Sequence, residues 1–153
     1  MNPMTEHWTN TGIMRRAACQ EARDWAAAYP TPSAAWAACD RGDRMLWYAV
    51  MVGADRRRIV RAAAACARLA LPFTAEPSVR VAVETAESWS RGGATLGQVQ
   101  VAASAAAYAA AYAASASASV AARARALAKC ADVVRGEFPE VPPTGALPGA
   151  VVR

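Results

Sequence analysis

Apolar residues recur every three or four positions along most of this chain, which is the spacing of a helix with one buried face. We find no convincing segment in which apolar and polar residues alternate as they do in a half-buried strand. The sequence therefore predicts an all-α fold, a compact single-domain bundle of about six helices around a long alanine-rich central helix.

Three helices are predicted in the first third of the chain. The first covers residues 13–29 and ends at Pro30, and a short second helix opens at Pro32 with Thr31 as its N-cap. Gly42 ends the second helix, and Asp43 caps a third at residues 45–52, which is apolar on all sides and should be buried. The positions that we expect to face the core in the first two helices are Met14, Ala18, Ala22, Trp25, Tyr29, Trp36 and Cys39.

The fourth and fifth predicted helices are amphipathic. The fourth begins near Asp55 and ends before Pro72, and the fifth opens at Pro77 and closes at Gly92 and Gly93. The expected core positions are Ile59, Ala62, Ala63, Cys66, Leu69 and Ala70 in the fourth helix, and Val79, Ala82, Ala86 and Trp89 in the fifth. The outer face of the fifth helix carries a self-neutralising row of charges, which consists of Arg80, Glu84, Glu87 and Arg91.

The last predicted helix is long and rich in alanine. Residues 101–122 carry no charged side chain, and alanine has the highest helix propensity. Thr95 and Gln98 form a capping box at its start, and Gly136 stops it. Because the stretch is uncharged on every side, we expect other helices to enclose it. Whether the serines at 115–119 bend or break this helix stays open. Val101, Tyr108, Tyr112 and Cys130 lie on one face of the predicted helix.

The composition changes at the end of the chain. Residues 136–153 hold four prolines and three glycines, which exclude a continuous helix. We therefore divide the chain into a helical domain, residues 1–136, and a non-helical C-terminal tail, residues 137–153. The tail should pack on the helical body or on a partner.

Overall composition is that of a globular protein, with 55% hydrophobic and 19% charged residues among 153. The alanine-rich stretch is long enough to cross a membrane, but it lacks Leu, Ile and Phe and therefore gains little from lipid. The first 16 residues contain no apolar run of the kind that a signal peptide needs. We expect a cytoplasmic protein with no membrane partner.

Residues that could carry chemistry are scarce. The cysteines Cys19, Cys39, Cys66 and Cys130 lie far apart in apolar patterns, and His7 is the only histidine. Because zinc sites usually contain a close pair of ligands, we expect four buried thiols and no metal. Motifs of nucleophilic enzymes, zinc proteases and P-loops are missing. The sequence thus favours a protein that is not an enzyme and needs no cofactor.

Positive charge is concentrated in the fourth helix. The net charge is +5, and residues 55–71 carry five arginines against one aspartate, whereas residues 1–53 balance to zero. Such a face fits the phosphates of a nucleic acid or an acidic protein surface, or it merely keeps the helix soluble. A smaller basic group follows at Arg123, Arg125 and Lys129. The five arginines are Arg56, Arg57, Arg58, Arg61 and Arg68.

Five segments of the chain resemble a known family. The family consists of all-helical proteins assigned as immunity proteins of bacterial polymorphic-toxin systems, with relatives widespread as uncharacterised phage proteins. The resemblance covers residues 18–136, and its most specific part is the Cys-Asp-Arg-Gly-Asp turn followed by Met-Leu-Trp. The segments are AWAACDRGDRMLW at 35–47, AAAACARLALP at 62–72, ETAESWSRGGAT at 84–95, AAYAAAYAA at 106–114 and KCADVVR at 129–135.

The resemblance implies a non-enzymatic inhibitor that binds and blocks an effector protein or ribonucleoprotein complex. Such an inhibitor is either an immunity protein or a phage-encoded blocker of host defence, for example an anti-CRISPR protein. Asp40, Arg41 and Asp43 match the polar positions of the family turn and either contact the partner or hold the turn. We expect the inhibitor to dock the arginine face of its fourth helix on an acidic surface of the partner. The alternative is a basic DNA- or RNA-binding accessory protein that uses the same arginine-rich helix at 55–71. The target and the oligomeric state stay open.

Overall fold

The helical pattern is realised in the structure, a computed structural model that describes residues 6–69, 71–73, 75–98 and 120–144. No β-strand occurs among these residues, and the predicted all-α class is confirmed. Residues 96–98 are helical, and short 3-10 turns lie at Trp8–Asn10 and Leu71–Phe73. The α-helices are α1 (Gly12–Ala17), α2 (Gln20–Ala26), α3 (Pro32–Ala38), α4 (Gly42–Met51), α5 (Arg56–Arg68), α6 (Pro77–Ser90) and α7 (Val120–Glu137).

Helix α5 packs against α6 on one side and against α4 and α7 on the other. The main core cluster joins α3, α4, α5 and α7, and a smaller cluster of Ala64, Leu71 and Val83 joins α5 to α6. Small side chains on both sides of α5 allow these neighbours to approach closely. The residues of the main cluster are Trp36, Cys39, Met45, Ala62, Ala131, Val134 and Phe138.

The predicted single buried arc on α5 is partly wrong. Ala62 is buried as expected, but Ala63 is exposed and Leu69 is 37% exposed, whereas Ala64 is buried. Residues 62 and 64 lie on nearly opposite sides of a helix. Two buried sides are needed because α5 lies between α6 and α7. In α6, likewise, Val83 is the buried apolar residue, and the predicted stripe is only half-buried.

The first predicted helix, residues 13–29, is wrong as a single element. Ala18 and Cys19 are extended and separate α1 from α2. The indole Nε1 of Trp8 donates to the carbonyl of Tyr29 at 2.9 Å. A continuous 17-residue helix would separate its ends by about 25 Å, too far for this contact. The break lets α1 fold back so that Trp8 lies against the end of α2.

The boundary between α3 and α4 differs from the prediction at Gly42 and Asp43. The Thr31 cap is confirmed, since its hydroxyl accepts from the Ala34 amide at 3.2 Å. Gly42, however, begins α4 rather than ending α3, and Asp43 lies in the first turn instead of capping it. The reason is packing. A Cβ on Gly42 would lie 2.5 Å from the Cβ of Cys130, so only glycine allows the start of α4 to contact α7.

The expectation that α4 is buried on all sides is wrong. Met45 is 2% exposed and Ala49 is fully buried, but Val50 is 56% exposed. Only the side of α4 that contacts α5 and α7 is covered. The apolar run therefore does not mark a central helix.

The capping box ahead of the alanine-rich segment is confirmed. The Thr95 amide donates to the Gln98 side chain at 2.8 Å, and the Gln98 amide donates to the Thr95 hydroxyl at 3.2 Å. Residues 99–119, which include Val101, Tyr108, Tyr112 and the serine cluster, lie outside the described residues. The central axis of the bundle thus stays a prediction.

Helix α7 carries the chain into the tail. It ends at Glu137, so the predicted stop at Gly136 is one residue early. Phe138 is buried in the main cluster and Val141 packs against it. The carbonyl of Phe138 also accepts from the Trp36 indole at 3.0 Å. The described part of the tail therefore packs on the helical body, as expected; residues 145–153 lie outside the description.

Candidate functional site

Two arginines of the predicted basic face bind the end of α7. Arg61 donates to the Glu137 carboxylate at 2.8 Å, and Arg58 bonds both its carboxylate and its carbonyl. The Arg58 guanidinium also lies over the Phe138 ring, 4.5 Å from its centre. Hydrogen bonds from Arg61 and Arg58 lower the pKa of Glu137. These two arginines hold the tail on α5.

Two more arginines of α5 bind α6. Arg68 forms a two-bond pair with the Glu87 carboxylate, which lowers the pKa of that carboxyl group. Arg57 donates to the Trp89 carbonyl at 3.2 Å and lies over the Trp89 ring. The predicted charge row on α6 is therefore wrong at Glu87, which pairs with the neighbouring helix because α5 lies beside it. Arg80 does lie near Glu84, at 4.0 Å.

Arg56 differs from its four neighbours on α5. It is exposed and has no hydrogen bond or ion pair with the described residues. Arg123, Arg125 and Lys129 on α7 are exposed in the same way. The strong positive charge in the sequence of α5 is thus largely used in contacts between helices.

The turn at residues 39–43 leads into the first turn of α4. Arg41 donates from Nε and Nη2 to both oxygens of Asp43, at 2.9 and 2.7 Å. These hydrogen bonds lower the pKa of Asp43 and raise that of Arg41. Arg44 in turn pairs with Glu21 of α2. Asp40 is exposed and takes no hydrogen bond within the described ranges.

The turn borders a groove of about 370 Å³ between the N-terminal helices α1 and α2 and the pair α3 and α4. Its floor is formed by buried apolar residues, among them Met14, Ala35, Trp36 and Met45. Half-buried aromatic residues form the walls, and charged residues of the turn and of α2 form the rim. The wall residues are Trp8, Trp25, Trp47 and Tyr48, and the rim residues are Glu21, Arg41, Asp43 and Arg44. We call this site the tryptophan groove.

Polar groups on the walls have unused donors. The indoles of Trp25 and Trp47 and the hydroxyl of Tyr48 have no hydrogen-bond partner in the described part of the chain. Burial raises the pKa of Tyr48, so its hydroxyl keeps its proton at neutral pH. The residues that line the groove thus combine apolar surface with hydrogen-bond donors that have no partner among the described residues.

Sequence reasoning did not find the tryptophan groove. Helical spacing assigned Trp25 and Trp36 to the core; Trp36 is buried, whereas Trp25 is half-buried against the main cluster. The signal that was missed is the high density of tryptophans at the start of the chain, since four of the five fall within the first 47 residues. The predicted residues Arg41 and Asp43 do lie at this site.

The expectation of four buried thiols is wrong for Cys19, which is exposed at the edge of the groove. Cys39 is buried, and Cys66 and Cys130 are half-buried and adjacent, with the Cys66 thiol 3.6 Å from the Cys130 carbonyl. Burial raises the pKa of Cys66 to about 12, so this thiol is unreactive at neutral pH.

Among the described residues, no group of three or more His, Cys, Asp and Glu side chains is placed to hold a metal ion. None of the described helices is both long and apolar enough to cross a membrane. No family model, curated protein or solved structure matches this chain.

Proposed function

We propose that this protein is a non-enzymatic inhibitor that binds and blocks an effector protein or ribonucleoprotein complex through the tryptophan groove. It would act as an immunity protein or as a phage-encoded blocker of host defence, such as an anti-CRISPR protein. The observation that carries this proposal is the groove, which combines tryptophan, tyrosine and arginine at one concave site. These three residue types dominate the binding energy of protein interfaces.

The contacts of the turn suggest separate roles for its predicted residues. Arg41 and Asp43 satisfy each other, so their role is to hold the rim of the groove. Asp40 is exposed beside them and is available to a partner. The ion pair of Arg41 and Asp43 reduces the free-energy cost of removing water from the rim, because each charge keeps its partner when another protein covers the surface.

The distribution of the arginines favours a protein partner over a nucleic acid. Affinity for DNA or RNA depends on cations that neutralise phosphates. Four of the five arginines of α5 are engaged within the protein: Arg58 and Arg61 with Glu137, Arg68 with Glu87, and Arg57 with Trp89. A nucleic acid would have to compete with these contacts.

Nucleic-acid binding is the second candidate because exposed basic residues on α5 and α7 stay unpaired in the described ranges. They are Arg56, Arg123, Arg125 and Lys129. Arg56→Glu reverses the exposed charge on α5 without breaking a contact between described helices. This substitution therefore separates the two functions.

Capture from host lysate with tagged protein, at moderate and high salt and with nuclease added, tests the proposed function. Ala17→Arg places a bulky side chain at the groove, where Ala17 is exposed. Ala37→Arg makes the same change at an exposed position of α3 that does not line the groove.

We expect a protein or ribonucleoprotein complex that resists salt and nuclease and is recovered with wild type, Ala37→Arg and Arg56→Glu. Ala17→Arg should recover little of it. Recovery that requires intact nucleic acid and low salt, and that Arg56→Glu abolishes, would instead establish the second candidate.

A further inference from the structure

We infer that the tryptophan groove takes an aromatic side chain of the partner, together with the backbone carbonyls beside that side chain. This inference rests on the proposed function and names the chemistry of the contact. It is carried by the volume and lining of the groove, by the charges at its rim and by the unused donors of its wall residues.

The volume and the lining of the groove favour an apolar ring. The volume of about 370 Å³ lies in the range of pockets that enclose a compact organic group, which begins at about 300 Å³. The floor is apolar and buried, and the walls carry Trp8, Trp25, Trp47 and Tyr48. An aromatic ring packed against aromatic walls gains more binding free energy than the burial of apolar area alone provides.

The charges at the rim disfavour a charged occupant. The Arg44 guanidinium lies 5.8 Å from the centre of the Trp25 ring, so a lysine or arginine from the partner would meet a cation already placed on that face. An acidic side chain would have to displace Asp43 from Arg41 or Glu21 from Arg44. The rim is therefore matched to a neutral group.

The unused donors distinguish an aromatic residue in a peptide chain from a simple hydrocarbon. The indoles of Trp8 and Trp36 donate to the carbonyls of Tyr29 and Phe138. The indoles of Trp25 and Trp47 and the hydroxyl of Tyr48 have no such acceptor in the described part of the chain. Covering these donors without an acceptor would cost free energy. Backbone carbonyls next to the inserted ring would supply acceptors.

Three capped amino acids test this inference on the isolated protein: N-acetyl-tryptophanamide, N-acetyl-leucinamide and N-acetyl-lysinamide. Ligand-observed saturation-transfer NMR measures their binding, with Ala17→Arg as the groove variant and Ala37→Arg as its matched control. We expect the tryptophan amide to bind about two- to tenfold more tightly than the leucine amide, which is the advantage that aromatic pairing provides. The lysine amide should not bind, and Ala17→Arg alone should lose the tryptophan amide.

Equal binding of the tryptophan and leucine amides, preferred binding of the lysine amide, or no binding at all would overturn the inference. Unchanged binding of the tryptophan amide to Ala17→Arg would also overturn it, because the amide would then lie elsewhere. Failure of the proposed function can be distinguished from failure of this inference. The absence of a captured protein contradicts the proposed function, whereas the absence of selective amide binding contradicts the aromatic contact whatever the capture yields.

Discussion

At the scale of single residues, Gly42 packs so closely against α7 that no side chain fits at this position. The position where a Cβ of residue 42 would lie is 2.5 Å from the Cβ of Cys130 and 2.8 Å from the backbone nitrogen of Ala131. Backbone atoms cannot move aside as the end of a flexible side chain can. The Cys-Asp-Arg-Gly-Asp turn therefore contains its glycine for close packing between helices.

Gly42→Ala should destabilise the protein by about 1–3 kcal/mol or more, which is the usual cost of overpacking. Chemical denaturation measures the free energy of unfolding. Gly136→Ala is the matched control, because a Cβ there meets no atom within 4 Å and α7 gains helix propensity. Equal stability of Gly42→Ala and wild type would contradict the packing of α4 on α7.

At the scale of elements, an arginine of α7 binds backbone carbonyls at the end of α3. Arg135 donates to the carbonyls of Trp36 and Cys39, at 3.3 and 2.7 Å, and pairs with Asp132. Both carbonyls lie at the end of α3, where helices leave such groups unpaired. Arg135 thus satisfies the end of one helix from the surface of another.

Arg135→Met should lower the free energy of unfolding by about 1–3 kcal/mol, because it removes the donor to the half-buried Cys39 carbonyl and one of the two donors to the Trp36 carbonyl. Asp132→Asn removes only the exposed partner of Arg135 and should change stability by less than about 0.5 kcal/mol. Thermal and urea denaturation of both variants provide the comparison. If the two variants are equally stable, Arg135 does not hold the end of α3.

The contact of Glu137 with Arg58 and Arg61 predicts a dependence on pH. Its pKa is lowered from the usual 4.5, so the folded state favours the charged carboxylate. The stabilisation is complete above that usual value and is lost as the pH falls through the lower pKa of the folded state. Glu137→Gln should therefore reduce stability at neutral pH by at most about 1 kcal/mol. Wild type and variant should converge in acid.

Urea denaturation across a pH series measures this difference. Glu84→Gln is the control, because Glu84 lies 4.0 Å from Arg80 on the exposed face of α6. Its curve should follow that of wild type throughout. A difference between Glu137→Gln and wild type that persists undiminished in acid would show that the charge of Glu137 is not responsible.

Local signals predicted the elements well, and long-range contacts explain where they failed. Thr31, Asp55 and the pair Thr95 and Gln98 mark helix starts correctly, because a capping bond joins residues three apart in sequence. The break at Ala18 and Cys19 is different in kind. It accompanies a hydrogen bond between Trp8 and Tyr29, residues far apart in sequence whose contact helical spacing does not encode.

At the scale of the whole molecule, charge and aromatic residues are placed differently from what their sequence positions indicate. The arginines of α5 mostly join helices, although the sequence indicated a free basic face. The four tryptophans of the first 47 residues line one groove, and Trp36 also belongs to the main core cluster, as its spacing predicted. Neither outcome follows from periodicity, because each depends on which helices become neighbours. The proposed function therefore depends on the groove, which we expect a protein partner to cover.

The rate at which Cys19 reacts with a thiol reagent, compared between the free protein and the isolated complex, tests this claim most directly. Cys19 is exposed at the edge of the groove, whereas the other three thiols are buried or half-buried, and a Cys19→Ser variant measures their slow background. We predict that Cys19 is protected in the complex and labelled rapidly in the free protein. An unchanged rate in a complex that is fully assembled would contradict the groove as the binding surface.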